Sequence, residues 1–158
     1  MIKSKSKIKT RPEARHEIIL ALSALAARRI HADNSTMKTV AIIGASNDRA
    51  KYGNKAVRAF LQQGYTVYPV NPHEVQIEKL PAYQSILEVP VRPQMVSVYV
   101  PPPVLLKLLP DIAAKGCDEL WLNPGAESDE VLAEAGRLGL NVIQACSIVG
   151  VGMSPGVL

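Results

Sequence analysis

The sequence is short of the residues that most often announce a chemistry. Its two cysteines, Cys117 and Cys146, cannot build a disulfide framework and read as reduced thiols of a cytoplasmic protein. Its three histidines, His16, His31 and His73, are too few and too scattered for a metal cluster, so no metal site is expected. Aromatic residues make up only 4% of the chain, too few for the stacked rings on which single-stranded nucleic acid is held. No apolar run approaches the roughly 18 residues needed to cross a bilayer. Surplus charge is also missing from most of the chain. Residues 1–36 carry eight Lys/Arg against three Asp/Glu, a net of +5, whereas residues 37–158 carry ten against eleven, a net of −1. The basic character belongs to the front end, and a nearly neutral body excludes a broad nucleic-acid platform.

What remains is 158 residues, 47% of them apolar, enough for one domain with a real core. Residues 1–36 read as a poorly ordered basic extension containing one helix from Pro12 to Ile30. Glu13 and Glu17 sit where a secretory or transit leader should be positive, so the extension is not read as a leader. From residue 37 the pattern alternates. Strands are expected at Thr39–Ile43, Tyr65–Val70, Met95–Val100, Glu119–Leu122 and Asn141–Ile143. Helices are expected at Gly53–Gln63, Val104–Lys115 and after Ser128, with a helical turn near Ser85–Glu88. Strand–helix alternation requires crossovers, so an α/β, Rossmann-like three-layer fold with a mostly parallel five-stranded sheet is predicted for residues 37–148. Residues 149–158 read as a loose C-terminal tail.

Ligands of such sheets bind beyond the carboxyl ends of the strands, which singles out the loops there. The first, Gly44-Ala45-Ser46-Asn47-Asp48-Arg49-Ala50-Lys51-Tyr52-Gly53, joins a strand to a helix. Gly44 and Gly53 permit close backbone approach, Ser46 carries a hydroxyl, and Arg49 and Lys51 bring cations to a helix N-terminus that already favours anions. It is not a G-x-G-x-x-G loop. The second loop offers Asn71 and Pro72 where a dinucleotide enzyme usually carries an acid for the ribose hydroxyls. The third, Val100 followed by Pro101-Pro102-Pro103, gives a stiff apolar rim. The fourth, Asn123-Pro124-Gly125-Ala126-Glu127, offers another glycine before another helix, and Glu127 as an acid–base candidate. Cys146 follows the fifth strand; a small buried thiol and a reactive one are both open at this point.

Taken in order, Gly44-Ala45-Ser46, Lys51-Tyr52-Gly53, Gly64-Tyr65, Tyr68-Pro69-Val70-Asn71-Pro72, Tyr83-Gln84-Ser85-Ile86 and Ser97–Pro103 resemble the CoA-binding domain family. That domain forms the N-terminal part of the succinyl-CoA ligase alpha subunit and of NDP-forming acyl-CoA ligases. The resemblance spans about residues 38–148. It implies that the ADP half of coenzyme A, or of an acyl-CoA, lies along Gly44, Ala45, Ser46, Arg49, Lys51 and Gly53. Asn71 and Pro72 would lie near the adenosine, Val100 and Pro101 by the adenine or pantetheine, and Pro124 and Gly125 on the phosphate side. The chain departs from the family in carrying Glu78-Lys79 where glycine is frequent and Gln94 where aspartate is frequent. The ligases place their phosphorylated histidine in a further domain, which this sequence does not contain. The expectation is therefore a small stand-alone CoA-binding protein without catalysis of its own: a carrier, a sensor or a docking subunit with another protein as second partner. An NAD(P)-binding oxidoreductase fragment or redox sensor is the alternative, and a mixed disulfide between CoA and Cys146 is a third.

Overall fold

The computed structural model describes residues 37–158; the expectations for residues 1–36 lie outside the described residues. The first strand, β1 (Thr39–Ile43), is a short run of apolar residues buried on both faces, the mark of a strand flanked by parallel neighbours and covered above and below. Helix α1 (Tyr52–Gln62) buries Ala56, Val57, Ala59 and Phe60. The chain then reverses through Gly64, whose φ of +77° needs no Cβ to accommodate. Strand β2 (Thr66–Val70) pairs in parallel with β1.

A two-stranded hairpin follows, β3 (Gln76–Ile77) and β4 (Leu80–Pro81), which the sequence pattern did not suggest. Its two turn residues, Glu78 (φ +48°) and Lys79 (φ +66°), both adopt the left-handed conformation. A two-residue hairpin turn favours that geometry, and it is where glycine or asparagine is ordinarily found. Glu78 is held by Arg49, whose Nη1 donates to its carboxylate at 2.8 and 2.9 Å, and by Asn54 Nδ2 at 3.0 Å. Side-chain bonds thus offset the strain that glycine would have avoided.

The remaining elements are β5 (Met95–Val98), α2 (Pro102–Lys115), β6 (Glu119–Leu122), α3 (Asp129–Arg137), β7 (Val142–Gln144) and the short α4 (Ser147–Gly150). Ser128 caps α3 by accepting from the Val131 amide, as its position before the apolar stripe suggests. The sheet order is β2-β1-β5-β6-β7, and every pairing in it is parallel. Alternate residues of β1 feed the two cores. Ala41 and Ile43 join Val96, Leu105, Ile112 and Leu120 under α2 and α3. Val40 and Ile42 join Val57, Phe60 and Ile148 under α1 and α4. This is the three-layer α/β arrangement expected from the alternation of elements.

The tail corrects one expectation. Val151, Met153 and Leu158 pack against the α1 side of the sheet, and Pro155–Val157 closes in a 3-10 turn. Three apolar side chains in eight residues are enough to hold the segment down, although no periodicity reveals them. Residues 38–158 form one compact unit.

Candidate functional site

In this sheet order the chain runs outward from β1 in one direction to β2 and then crosses back to place β5 on the other side of β1. The gap between the carboxyl ends of β1 and β5 is therefore the switch point, where loops diverge and leave a crevice. A cavity of about 630 Å³ opens there. Gly44, Lys51, Tyr52 and Gly53 bound it on the β1–α1 side. Val98, Tyr99, Val100 and Pro101 supply the β5 wall, and Asn123, Pro124, Gly125 and Ala126 the β6 wall. Cys146 and Pro155 complete the lining.

The β1–α1 loop approaches this cavity closely because two positions lack a side chain. Gly44 has φ +83°, and a Cβ there would lie 2.7 Å from the Tyr99 carbonyl oxygen. A Cβ on Gly53 would lie 2.1 Å from the Gly44 carbonyl oxygen. The start of α1 is thus seated directly on the turn that leaves β1. No side chain caps α1; the Asn54 and Lys55 amides donate to the Lys51 carbonyl, both at 3.1 Å, which leaves the Tyr52 and Gly53 amides at the positive end of the helix dipole. Lys51 stands at the N-cap position and lines the cavity.

Of the residues singled out from sequence, Gly44, Lys51, Gly53, Val100, Pro101, Pro124 and Gly125 come together around this cavity. The others have different surroundings. Ala45 is fully buried in the α1-side core. The Ser46 hydroxyl accepts from the Asp48 amide at 3.1 Å, building the loop from within. Arg49 is engaged with Glu78. Asn71 Nδ2 donates to the Ala45 carbonyl at 2.8 Å while its Oδ1 accepts from the His73 amide, so it ties the end of β2 to the β1–α1 loop. Pro72 is exposed beside it. The Glu127 carboxylate accepts from the Gly125 amide at 2.8 Å.

Beneath the cavity lies a polar cluster that the sequence reading did not assemble. Ser97 and Ser147 are fully buried, with their hydroxyls 2.7 Å apart. The Tyr99 hydroxyl is 2.8 Å from the Ser147 hydroxyl. Asn123, 3% exposed, donates through Nδ2 to the Ser97 hydroxyl and to the Val98 carbonyl, both at 2.9 Å, and accepts from the Ser147 amide at 2.8 Å. No buried side-chain nitrogen or oxygen among the described residues lacks a partner. The cluster joins the ends of β5 and β6 to the start of α4, which fixes the spacing of two walls of the cavity. A serine within an apolar strand was its one signal in the sequence, and it gave no hint of the partner on α4.

Burial pushes the Tyr99 phenol from 10.0 up to about 12, its bonds to Ser147 and Ser97 pulling the other way. The folded state therefore prefers the neutral phenol. That preference contributes in full below pH 10.0 and is lost as pH rises toward about 12. Thermal melts across this range should show stability falling, and Tyr99→Phe should flatten the fall. A residual slope between pH 9.0 and about 11 is expected to persist, because burial also raises the Cys117 thiol. An unchanged profile in Tyr99→Phe would remove the phenol from this role.

Residues 38–151 match the CoA binding domain family. Acetate–CoA ligase [ADP-forming] II of Archaeoglobus fulgidus is 37% identical over 81 residues, 50% of this chain and 12% of that protein. The alpha subunit of acetate–CoA ligase [ADP-forming] II of Pyrococcus furiosus is 35% identical over 78 residues, 49% of this chain and 17% of the subunit. The chain thus spans a small part of the curated relatives it matches. Among solved structures, a conserved hypothetical protein from Pyrococcus furiosus superposes with a TM-score of 0.67 at 34% identity, covering 72% of this chain and 99% of that one. The family match runs from β1 through α4 and takes in the loops that line the cavity: the chain belongs to the CoA binding domain family.

Proposed function

We propose that this chain is a small stand-alone CoA-binding protein that holds the ADP and pyrophosphate part of CoA at the carboxyl ends of its strands and performs no catalysis of its own. In this reading it serves in the cytoplasm as a carrier, a sensor or a docking subunit. The observation that carries the proposal is the junction of β1 and α1, where two side-chain-free positions, an uncapped helix start and Lys51 meet at one end of the cavity. Backbone amides and a cation in that arrangement suit a pyrophosphate. The apolar rim of Val100 and Pro101 suits the uncharged remainder of the molecule. The names of the curated relatives, CoA ligases, support CoA over a dinucleotide. A binding role rather than a catalytic one is supported by the fate of the acid–base candidate Glu127, whose carboxylate is bonded to the Gly125 amide of its own loop. No helix among the described residues is long and apolar enough to cross a membrane.

Calorimetry with CoA, dephospho-CoA, NAD and NADP tests the proposal. CoA is expected to bind most tightly, and tighter binding of NAD would overturn it. Lys51→Ala should weaken CoA by about 1–2 kcal/mol, the worth of an exposed cation on a phosphate. An unchanged affinity would put Lys51 outside the site.

A further inference from the structure

The cavity has one wall that the family match does not reach. The match ends at residue 151, yet Pro155 lines the cavity together with Tyr52 and Cys146. Its position is not left to chance. Lys55 Nζ donates to the Pro155 carbonyl at 2.8 Å across 100 positions of sequence. On either side of Pro155 the segment is anchored by Val151, Met153 and Leu158 in the α1-side core. The amide of Met153 bonds to the Ile148 carbonyl, and that of Val157 to the Ser154 carbonyl. Lys55 itself does not line the cavity. Its ammonium lies 5.6 Å from the centre of the Tyr52 ring, so one cation connects the ring and the proline that flank the cavity on this side. Tyr52 is 58% exposed, a large aromatic surface left uncovered at the mouth of a cavity.

From these contacts we infer that Val151–Leu158 is part of the binding site, and that Pro155 and Tyr52 form an apolar clamp on the uncharged portion of a ligand whose phosphates lie at Lys51. The inference rests on reading the cavity as a CoA site. Pro155 is a positioning residue in it: the proline ring offers a rigid face, and the Lys55 tether keeps that face in place before the ligand arrives. A pre-formed wall of this kind acts chiefly on the rate of release, because association is limited by encounter and orientation.

The full chain is tested in two arms. In the first, without ligand, hydrogen exchange is followed at the Met153 and Val157 amides. Lys55→Met, which keeps the aliphatic stem and removes the donor, should speed exchange there while leaving the β1 amides unchanged. Unchanged exchange at Met153 and Val157 would sink the tether. In the second, stopped-flow displacement measures release of CoA and of ADP. Lys55→Met and Pro155→Gly should each speed CoA release about three- to tenfold with little change in association. ADP, which lacks the pantetheine arm, should be released at nearly the wild-type rate. Equal release of CoA from wild type and both variants would overturn the clamp. Failure of wild type to bind either CoA or ADP is a different result: it overturns the ligand reading and the clamp with it, whatever the first arm shows about the tether.

Discussion

Gly53→Ala is expected to unseat helix α1 and to weaken CoA binding more than tenfold. On local grounds the change should help, since alanine is favoured over glycine inside a helix by about 1 kcal/mol. Tertiary contact reverses the sign. The new methyl carbon would lie 2.1 Å from the Gly44 carbonyl oxygen, 3.0 Å from its carbonyl carbon and 3.3 Å from the Ala45 Cα. All three are backbone atoms of a turn that is itself pressed against Tyr99, so none can swing aside as a flexible side chain would. The helix start must retreat, and Lys51 and the first-turn amides retreat with it. Overpacking of this kind costs about 1–3 kcal/mol, and more where backbone must move. A net loss of about 2 kcal/mol is expected in urea unfolding, accompanied by the loss of CoA affinity in calorimetry. Wild-type stability and affinity together would show that the turn is soft and that close seating does not matter.

Asn123→Ala should be the most damaging substitution among the polar residues. It removes the acceptor of the buried Ser147 amide and the donor to the Val98 carbonyl. A buried backbone group left without a partner costs about 1–3 kcal/mol, so a loss of about 3 kcal/mol is expected. Ser97→Ala is the informative comparison. It takes away one hydroxyl, but Asn123 still serves Val98 and Ser147, and Ser147 still meets Tyr99. Its cost should be about 1 kcal/mol. Equal losses from the two substitutions would mean that the cluster matters for its packing rather than for the backbone groups it satisfies. The same comparison bears on binding, because Asn123 holds β6 and α4 at a fixed spacing on two sides of the cavity.

The elements themselves were legible because their causes are local. An apolar run of strand length ending at Gly44, an apolar face carried by Ala56, Val57 and Phe60, and Ser128 before Val131 each act within a turn or two of chain. The β3–β4 hairpin escaped notice for the complementary reason. Glu78-Lys79 carries no turn signal, and its left-handed backbone is held by Arg49 and Asn54, more than twenty residues away. The same pairing explains why Arg49, read as a cation beside a helix start, is met in the structure by a carboxylate.

Periodicity and glycine placement, together with the resemblance they carry, were sufficient for the α/β class and the parallel sheet. Those properties follow from the geometry of short stretches of backbone. Which of the loop residues share one cavity followed from strand order, which sets β5 beside β1 and brings Gly44 against Tyr99. The pairing of Ser97 with Ser147, 50 positions apart, and of Lys55 with Pro155, 100 apart, arose the same way. Contacts of that range leave no imprint on local pattern, because each partner alone is an ordinary serine, lysine or proline, and their meaning exists only once the chain has closed on itself.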